Sequence, residues 1–576
     1  MSQGGETKTP TFCNFSPLSS SSHQATLNKL CEVARSSYGP NGKIKLIHNG
    51  LGATTVASSA SQVLLPALDR GDILSRFLLE SAREHVQRCS DGGLFVLLFS
   101  VTLVQGCLHL AHESIIQLCQ ASRVNQHLVE LCVEYLQSDC CRCRVQVDLS
   151  SLDQLLSLTR TVMMSKPACL LTSEEVETMT RLVVQAFLQT VPDSTNAGQG
   201  LGMTVLISVL GCGVEASRVR PGLLVNATTQ VDQFASLQVA NEFLVAVVST
   251  SLAGDIIEGG DGVLHCEVPL GMDEEQAVLS MLFRFGEWLV AAGVRLVICQ
   301  RVVHPLLMQV LQDEGIVVLH RLGLEVMDPL LRLTGARPIG SFFSEPESTT
   351  YGVLRSLEPL KIGCKDFLLL QPSRPVPVCT LVLCHRTDAS LHELKIVCKV
   401  AEHLLQLVLK QPYALFGGGC TESHLATFVR HQMQEVVDDR LEELQCPRAT
   451  YIKVAQNFAS CLENVATSLK PDGLLHLVDN KIHHHWLVPA SAPLESFWEI
   501  EGLQCACGLA VANSNLSWCT LGPTETERKF EGQALPATLP SPLLLDSFSA
   551  RTNALLVAVE AARVILETKL IIEESH

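Results

Sequence analysis

Aromatic residues are scarce in these 576 residues: 4 Trp and 5 Tyr, with aromatics only 5% of the chain. Charge is thin as well, at 18%, and unbalanced, since 42 Lys and Arg face 59 Asp and Glu for a net charge of −17. No Lys/Arg cluster with interleaved aromatics occurs, so the chain lacks the footprint of a nucleic-acid binder and no such partner is expected. The opening segment, Met1 to Ser22, is polar and has no apolar signal segment. The most membrane-like run, Leu94 to Ala111, is interrupted by Ser100, Thr102, Gln105 and His109 and reads as a buried helix rather than a membrane span. Paired C-x-x-C spacing is also missing. The 23 cysteines are odd in number and follow no repeating frame, which points to reduced thiols in a cytosolic chain. Two clusters stand out, Cys140-Cys141-Cys143 and the C-x-C of Cys505 and Cys507, and for both a zinc site is the lesser reading. His483-His484-His485 has the donors to bind a metal ion adventitiously but reads first as an exposed loop.

What is present is apolar matter, 47% of the chain, rich in Leu and Val, enough to fill several cores and to exclude global disorder. Residues 1–22 read as a disordered arm ending in the serine run Ser19 to Ser22. Leu27, Leu30, Cys31 and Ala34 then fall on one helical face, and Tyr38-Gly39-Pro40-Asn41-Gly42 stops that helix before Lys43-Ile44-Lys45-Leu46-Ile47, a short strand. Helical pattern dominates from Leu74 to Leu136, broken at Asp91-Gly92-Gly93, and again over 151–192. Near Gly198 the texture changes. Short apolar runs, Val205–Leu210, Phe243–Val248, Leu296–Cys299 and Ile316–Leu319, with a helix from Pro305 to Gln312, mark an α/β insert. From Ser390 the chain is helical again to about Ser468, residues 434–450 and 470–502 are rich in loop, and a last helix near Phe548 to Thr568 sets Leu555, Val559, Ala562 and Leu566 on one face before the strand Leu570-Ile571-Ile572.

Three glycine turns carry the candidate chemistry. Gly417-Gly418-Gly419 follows an apolar run and precedes a helix, so backbone there can approach a flat or anionic ligand; the same turn also serves as a plain tight connection. Gly39 to Lys45 can cradle a phosphate, but spacing alone favours a plain helix terminus. Gly198-Gln199-Gly200-Leu201-Gly202-Met203-Thr204 has Met203 where a phosphate loop needs its lysine and reads as the turn into the insert. No Cys/His pair carries a nucleophile motif, and cysteines such as Cys31 sit on apolar helix faces, which leaves a Cys/His enzyme without support.

Order and spacing of these motifs resemble the group II chaperonins over about residues 23 to 573. Tyr38-Gly39-Pro40-Asn41-Gly42-Lys43-Ile44-Lys45 resembles the family's nucleotide loop, Ser90-Asp91-Gly92-Gly93-Leu94 stands where it has G-D-G-T-T, Gly417 to Glu422 resembles its G-G-G-x-x-E, and Thr334-Gly335-Ala336 matches its apical T-G-A. The resemblance implies a mixed α/β fold: after the arm 1–22, a helical equatorial domain from 23–150 and 402–576, a small intermediate domain from 151–197 and 371–401, and an α/β apical, substrate-binding domain over 198–370. Two carboxylates of the family's ATPase site are replaced, by Ser59 and by Val400. A valine binds no metal and orients no water, and such losses cost roughly several powers of ten in rate. No catalytic residue is therefore assigned, and ATP hydrolysis is expected to be lost. If the cofactor ATP with Mg²⁺ still binds, weakly, the matching positions are Gly39, Pro40, Gly42, Lys45, Asp91, Gly92, Gly417, Gly418 and Gly419, with Asp91 left to hold the metal; otherwise the loops persist for packing. Restoring both carboxylates should cost little stability if the site is an open pocket. The glycine-rich run Glu258 to Gly262, where the family carries a helical lid, disfavours helix.

Lys166-Pro167-Ala168-Cys169 and Pro338-Ile339-Gly340-Ser341 are similar to divergent, chaperonin-like members of that family. This likeness implies a chaperonin-like assembly factor that works with other chaperonin-like proteins and the cytosolic chaperonin, takes subunits of the BBSome, a ciliary trafficking complex, as clients, and resides in the cytoplasm and at the centrosome or basal body. The alternative is an ATP-dependent protein-folding chaperonin subunit.

Overall fold

The computed structural model describes residues 11–15, 17–48, 55–68, 72–114, 116–192, 200–226, 242–254, 274–469, 474–479, 484–501, 503–520 and 543–574. The chain forms two compact units, one from Met1–Thr180 with His392–His576, the other from Arg181–Leu391.

The first unit is built on the helix Gly93–Ser114. Its apolar residues point in every direction, and a helix of that kind is stable only when covered on all sides. Phe95, Leu97, Leu98, Phe99, Leu103 and Val104 have no exposed surface. Helices Ser21–Ser37, Ile73–Cys89, Arg448–Thr467 and Phe548–Glu567 surround it, and Phe99 meets Phe458 edge to face at 5.5 Å. The polar interruptions cost little, because the Thr102 hydroxyl donates to the Leu98 carbonyl at 2.9 Å and that of Ser100 to Leu97 at 3.1 Å. The segment Gly93–Glu113 is long and apolar enough to cross a membrane, yet 67% of its most apolar window is buried within the protein. Capping sets the neighbouring helices: Asp72 accepts from the Leu74 N–H at 3.1 Å, and Ser547 from that of Ala550 at 3.4 Å.

Small sheets position the loops of this unit. Strand Tyr413–Phe416 lies between Leu545–Ser547 and Arg144–Gln146, antiparallel to both. Strand Leu474–Asp479 lies between His485–Pro489 and Trp518–Thr520. This hairpin replaces the loop expected over 470–502, and helix Asp438–Glu443 falls within the expected loop 434–450. The arm is also corrected. Thr11–Phe15 forms a strand paired antiparallel with Leu570–Glu574, Thr11 opposite Glu574 and Phe15 opposite Leu570, and helix starts at Ser21. Residues 1–10 of the arm lie outside the described residues, as does the run 258–262.

The second unit carries a six-stranded sheet in the order Val317–Leu319, Val294–Cys299, Phe243–Val248, Gly352–Ile362, Lys365–Pro372, Leu223–Asn226. The first three run parallel, linked through helices Glu274–Ala291 and Pro305–Asp313; the others join antiparallel. Helices Glu274–Ala291 and Pro305–Asp313 bury Phe285, Leu289, Leu307 and Leu311 on one face of the sheet. Helix Met327–Thr334 buries Met327, Leu330 and Leu333 on the other. Strand Val378–His385 pairs parallel with Met203–Leu210 and antiparallel with Arg218–Pro221.

Candidate functional site

A cavity of about 210 Å³ lies in the first unit, where the loops after Ser37, Cys89 and Phe416 converge. Gly39, Pro40, Asp91, Gly92 and Gly418 line it, together with apolar side chains that include Leu158, Val162, Leu404 and Leu544. Gly42, Lys45, Ser59, Val400, Gly417 and Gly419 are not among its lining residues. Two turns need glycine here. Gly92, at φ +85°, would bring a Cβ within 2.7 Å of His85 Nε2, and Gly418, at φ +66°, would bring one within 2.3 Å of the Ala506 carbonyl oxygen.

Among the described residues two carboxylates line the cavity, Asp91 and Asp546, and each already holds a cation of the protein. Lys166 Nζ donates to Asp91 Oδ1 at 3.2 Å. Burial opposes the Asp91 carboxylate, but Lys166, the Gly92 N–H and Arg551 outweigh it and hold the Asp91 pKa below its ordinary value. Arg551 pairs with Asp546 and stands 3.3 Å from Glu422 Oε1. It also donates to the Tyr38 hydroxyl at 3.2 Å and lies over the Phe95 ring at 4.6 Å. Burial pushes the Glu422 carboxyl up, Arg551 opposing and Asp546 assisting. Lysine 45 turns elsewhere, its Nζ donating to the carbonyls of Lys43 at 3.1 Å and Ser36 at 3.4 Å. Burial, then Lys43, lowers its pKa.

The two positions where the resemblance implies carboxylates, Ser59 and Val400, are closed in. Ser59 and Val400 are 1% and 2% exposed. Glu393, fully buried, accepts from the Ser58 hydroxyl at 2.7 Å and from both the N–H and the hydroxyl of Ser59 at 2.8 Å. The Ser59 hydroxyl in turn accepts from the Ala168 N–H at 3.2 Å. The expected open pocket at these positions is thus a packed one. Mg²⁺ needs free carboxylate oxygens and room for its waters, and this donor set does not fit it.

A sequence profile of the TCP-1/cpn60 chaperonin family matches residues 30–470. The chain belongs to that family. It is 38% identical to "Molecular chaperone MKKS" of Mus musculus and 37% identical to the Homo sapiens protein of that name, over 99% of both chains in each comparison. "Thermosome subunit alpha" of Saccharolobus solfataricus is 22% identical over 71% of this chain and 72% of its own. In this divergent group II chaperonin, glycine turns surround a cavity whose lining carboxylates are paired with cations of the protein. Sequence reasoning passed over Lys166, Asp546 and Arg551 as site residues. Arg551 left no distinct signal, since its helix also carries Glu560, Arg563 and Glu567. The histidine run reads differently in the structure: His484 and His485 are 2% and 0% exposed rather than looped out, and His483 lies outside the described residues.

Proposed function

We propose that this chaperonin-family protein holds and transfers partner proteins without hydrolysing ATP. The observation that carries the reading is that Asp91 and Asp546, the carboxylates lining the cavity, are ion-paired with Lys166 and Arg551. Phosphoryl transfer needs metal-held phosphates and an oriented water, and Ser59 and Val400 supply neither. Partner holding is supported by the second unit, where helix Pro305–Asp313 exposes Leu306 and Val310, one turn apart on one face. On the likeness to the divergent chaperonin-like proteins, the partners are other chaperonin-type subunits and the cytosolic chaperonin, the clients are BBSome subunits, and the setting is the cytoplasm and centrosome. Nucleotide titration of the purified chain with and without Mg²⁺, alongside a turnover assay, tests this. Turnover at the level of Asp91→Asn, with co-purification of chaperonin-type subunits, is expected. Mg²⁺-dependent turnover that Asp91→Asn abolishes overturns the reading in favour of an ATP-driven folding subunit.

A further inference from the structure

Beside the cavity, three separate stretches of chain bring three sulfurs and one imidazole to a single point. Cys420 opens helix Cys420–Glu435 directly after the triple-glycine turn. His484 immediately precedes strand His485–Pro489. Cys505 and Cys507 flank Ala506 in a tight turn closed by the Gly508 N–H on the Cys505 carbonyl at 2.8 Å. The four ligand atoms lie within 4.8 Å of one another, and all four residues are buried. Cys507 Sγ is 3.2 Å from Cys505 Sγ and 3.2 Å from His484 Nδ1. Tetrahedral zinc, with bonds of about 2.3 Å to sulfur and about 2.0 Å to nitrogen, sets its ligand atoms about 3.5–3.8 Å apart. The donors therefore already stand near ligand spacing. Among the described residues no other group of three or more His, Cys, Asp or Glu side chains converges in this way.

We propose that Cys420, His484, Cys505 and Cys507 form a structural zinc site. Four protein donors fill a tetrahedral shell and leave no open position, which is the mark of a structural rather than a catalytic zinc. On binding, the thiols release their protons to solvent and the ion takes thiolates and a neutral imidazole. What it fastens is specific. Gly418 and Ala506 both line the cavity. Ala506 donates its N–H to the His485 carbonyl at 2.7 Å, and its own carbonyl closes over Gly418. Zinc on Cys420 and on the two cysteines flanking Ala506 clamps these backbones together and fixes one cavity wall. The sequence spacing hides the site, because a C-x-C pair with a distant Cys and His matches no paired C-x-x-C frame.

The test uses the full chain, produced with zinc in the medium and purified without chelators under reducing conditions. Elemental analysis is expected to find about one zinc per chain. Replacement by Co²⁺ is expected to give a thiolate-to-cobalt charge-transfer band with tetrahedral d–d absorption. Cys505→Ser with Cys507→Ser should lose both, while Cys119→Ser, an exposed thiol, should keep them. Should the double variant fail to fold, alkylation mapping of the wild-type chain decides: Cys420, Cys505 and Cys507 should be protected with zinc and labelled after chelation, with a fall in melting temperature that zinc reverses. A folded wild-type chain without zinc and unable to take up Co²⁺, a double variant that retains its zinc, or a disulfide at Cys505 or Cys507 in the fresh protein overturns the proposal.

Discussion

Glu393 governs what can be done to Ser59. Three donors satisfy its buried carboxylate, two of them from Ser59. Ser59→Ala removes one donor and should cost about 1–2 kcal/mol. Ser59→Asp replaces it with a second carboxylate against a buried one and should cost about 3–5 kcal/mol. Chemical denaturation of the two variants checks the order, and equal midpoints would refute the packing described. His85 sets a pH limit. Burial pushes its imidazole from the ordinary 6.5 to about 4, with Asp91 opposing and Arg551 and Arg88 assisting. Its neutral ring shares a 2.7 Å hydrogen bond with Asn553. Because the folded pKa is depressed, the unfolded chain binds the proton more readily between the two values. The contribution of this group is full above about pH 6.5 and falls by about 3 kcal/mol as pH drops towards 4. Melting curves across that range should slope down with acid, and His85→Gln should flatten the slope. Ser59 and Val400 were singled out by their place in the motif order, which needs no structure. Their burial was not legible, since Ser59 and Glu393 are 334 positions apart.

At the level of elements, periodicity carried most of the reading. Phe243–Val248 and the helix from Pro305 are where the apolar runs placed them, and the final helix, Phe548–Glu567, buries Leu555, Val559, Ala562 and Leu566 as the spacing requires. The hairpin Leu474–Asp479 with His485–Pro489 was obscured because its buried positions include His476, Asp479 and His485, which do not register as apolar. The strand Thr11–Phe15 was missed for another reason: five residues in a polar context have no pattern of their own and become a strand only against Leu570–Glu574. That dependence gives a prediction. A chain beginning at residue 17 removes the strand that pairs with Leu570–Glu574 and leaves the latter, with Ile572 already 58% exposed, unpaired among the described residues. Sedimentation at rising concentration should show the shortened chain self-associating where the full chain does not; identical profiles would show that the edge is harmless.

At the scale of the molecule, the order helical, α/β, helical was legible because texture changes are visible in one dimension. The grouping of strand Val378–His385 with Met203–Leu210 was not, since the two are parallel neighbours joined across the whole α/β unit. The helix Gly93–Ser114 gives this layout a consequence in time. The α/β unit is one contiguous stretch, Arg181–Leu391, and can close while later residues are still being added. The first unit cannot, because Arg448–Thr467 and Phe548–Glu567, which cover Gly93–Ser114, are made only after it. Until they emerge from the ribosome, only Ser21–Ser37 and Ile73–Cys89 of the four surrounding helices are available to cover a segment whose most apolar 18-residue stretch has a mean hydropathy of 2.0. To the machinery that sorts nascent chains it has the length and composition of a membrane anchor. The order of synthesis thus leaves the most apolar helix of the chain waiting for the two that complete its cover.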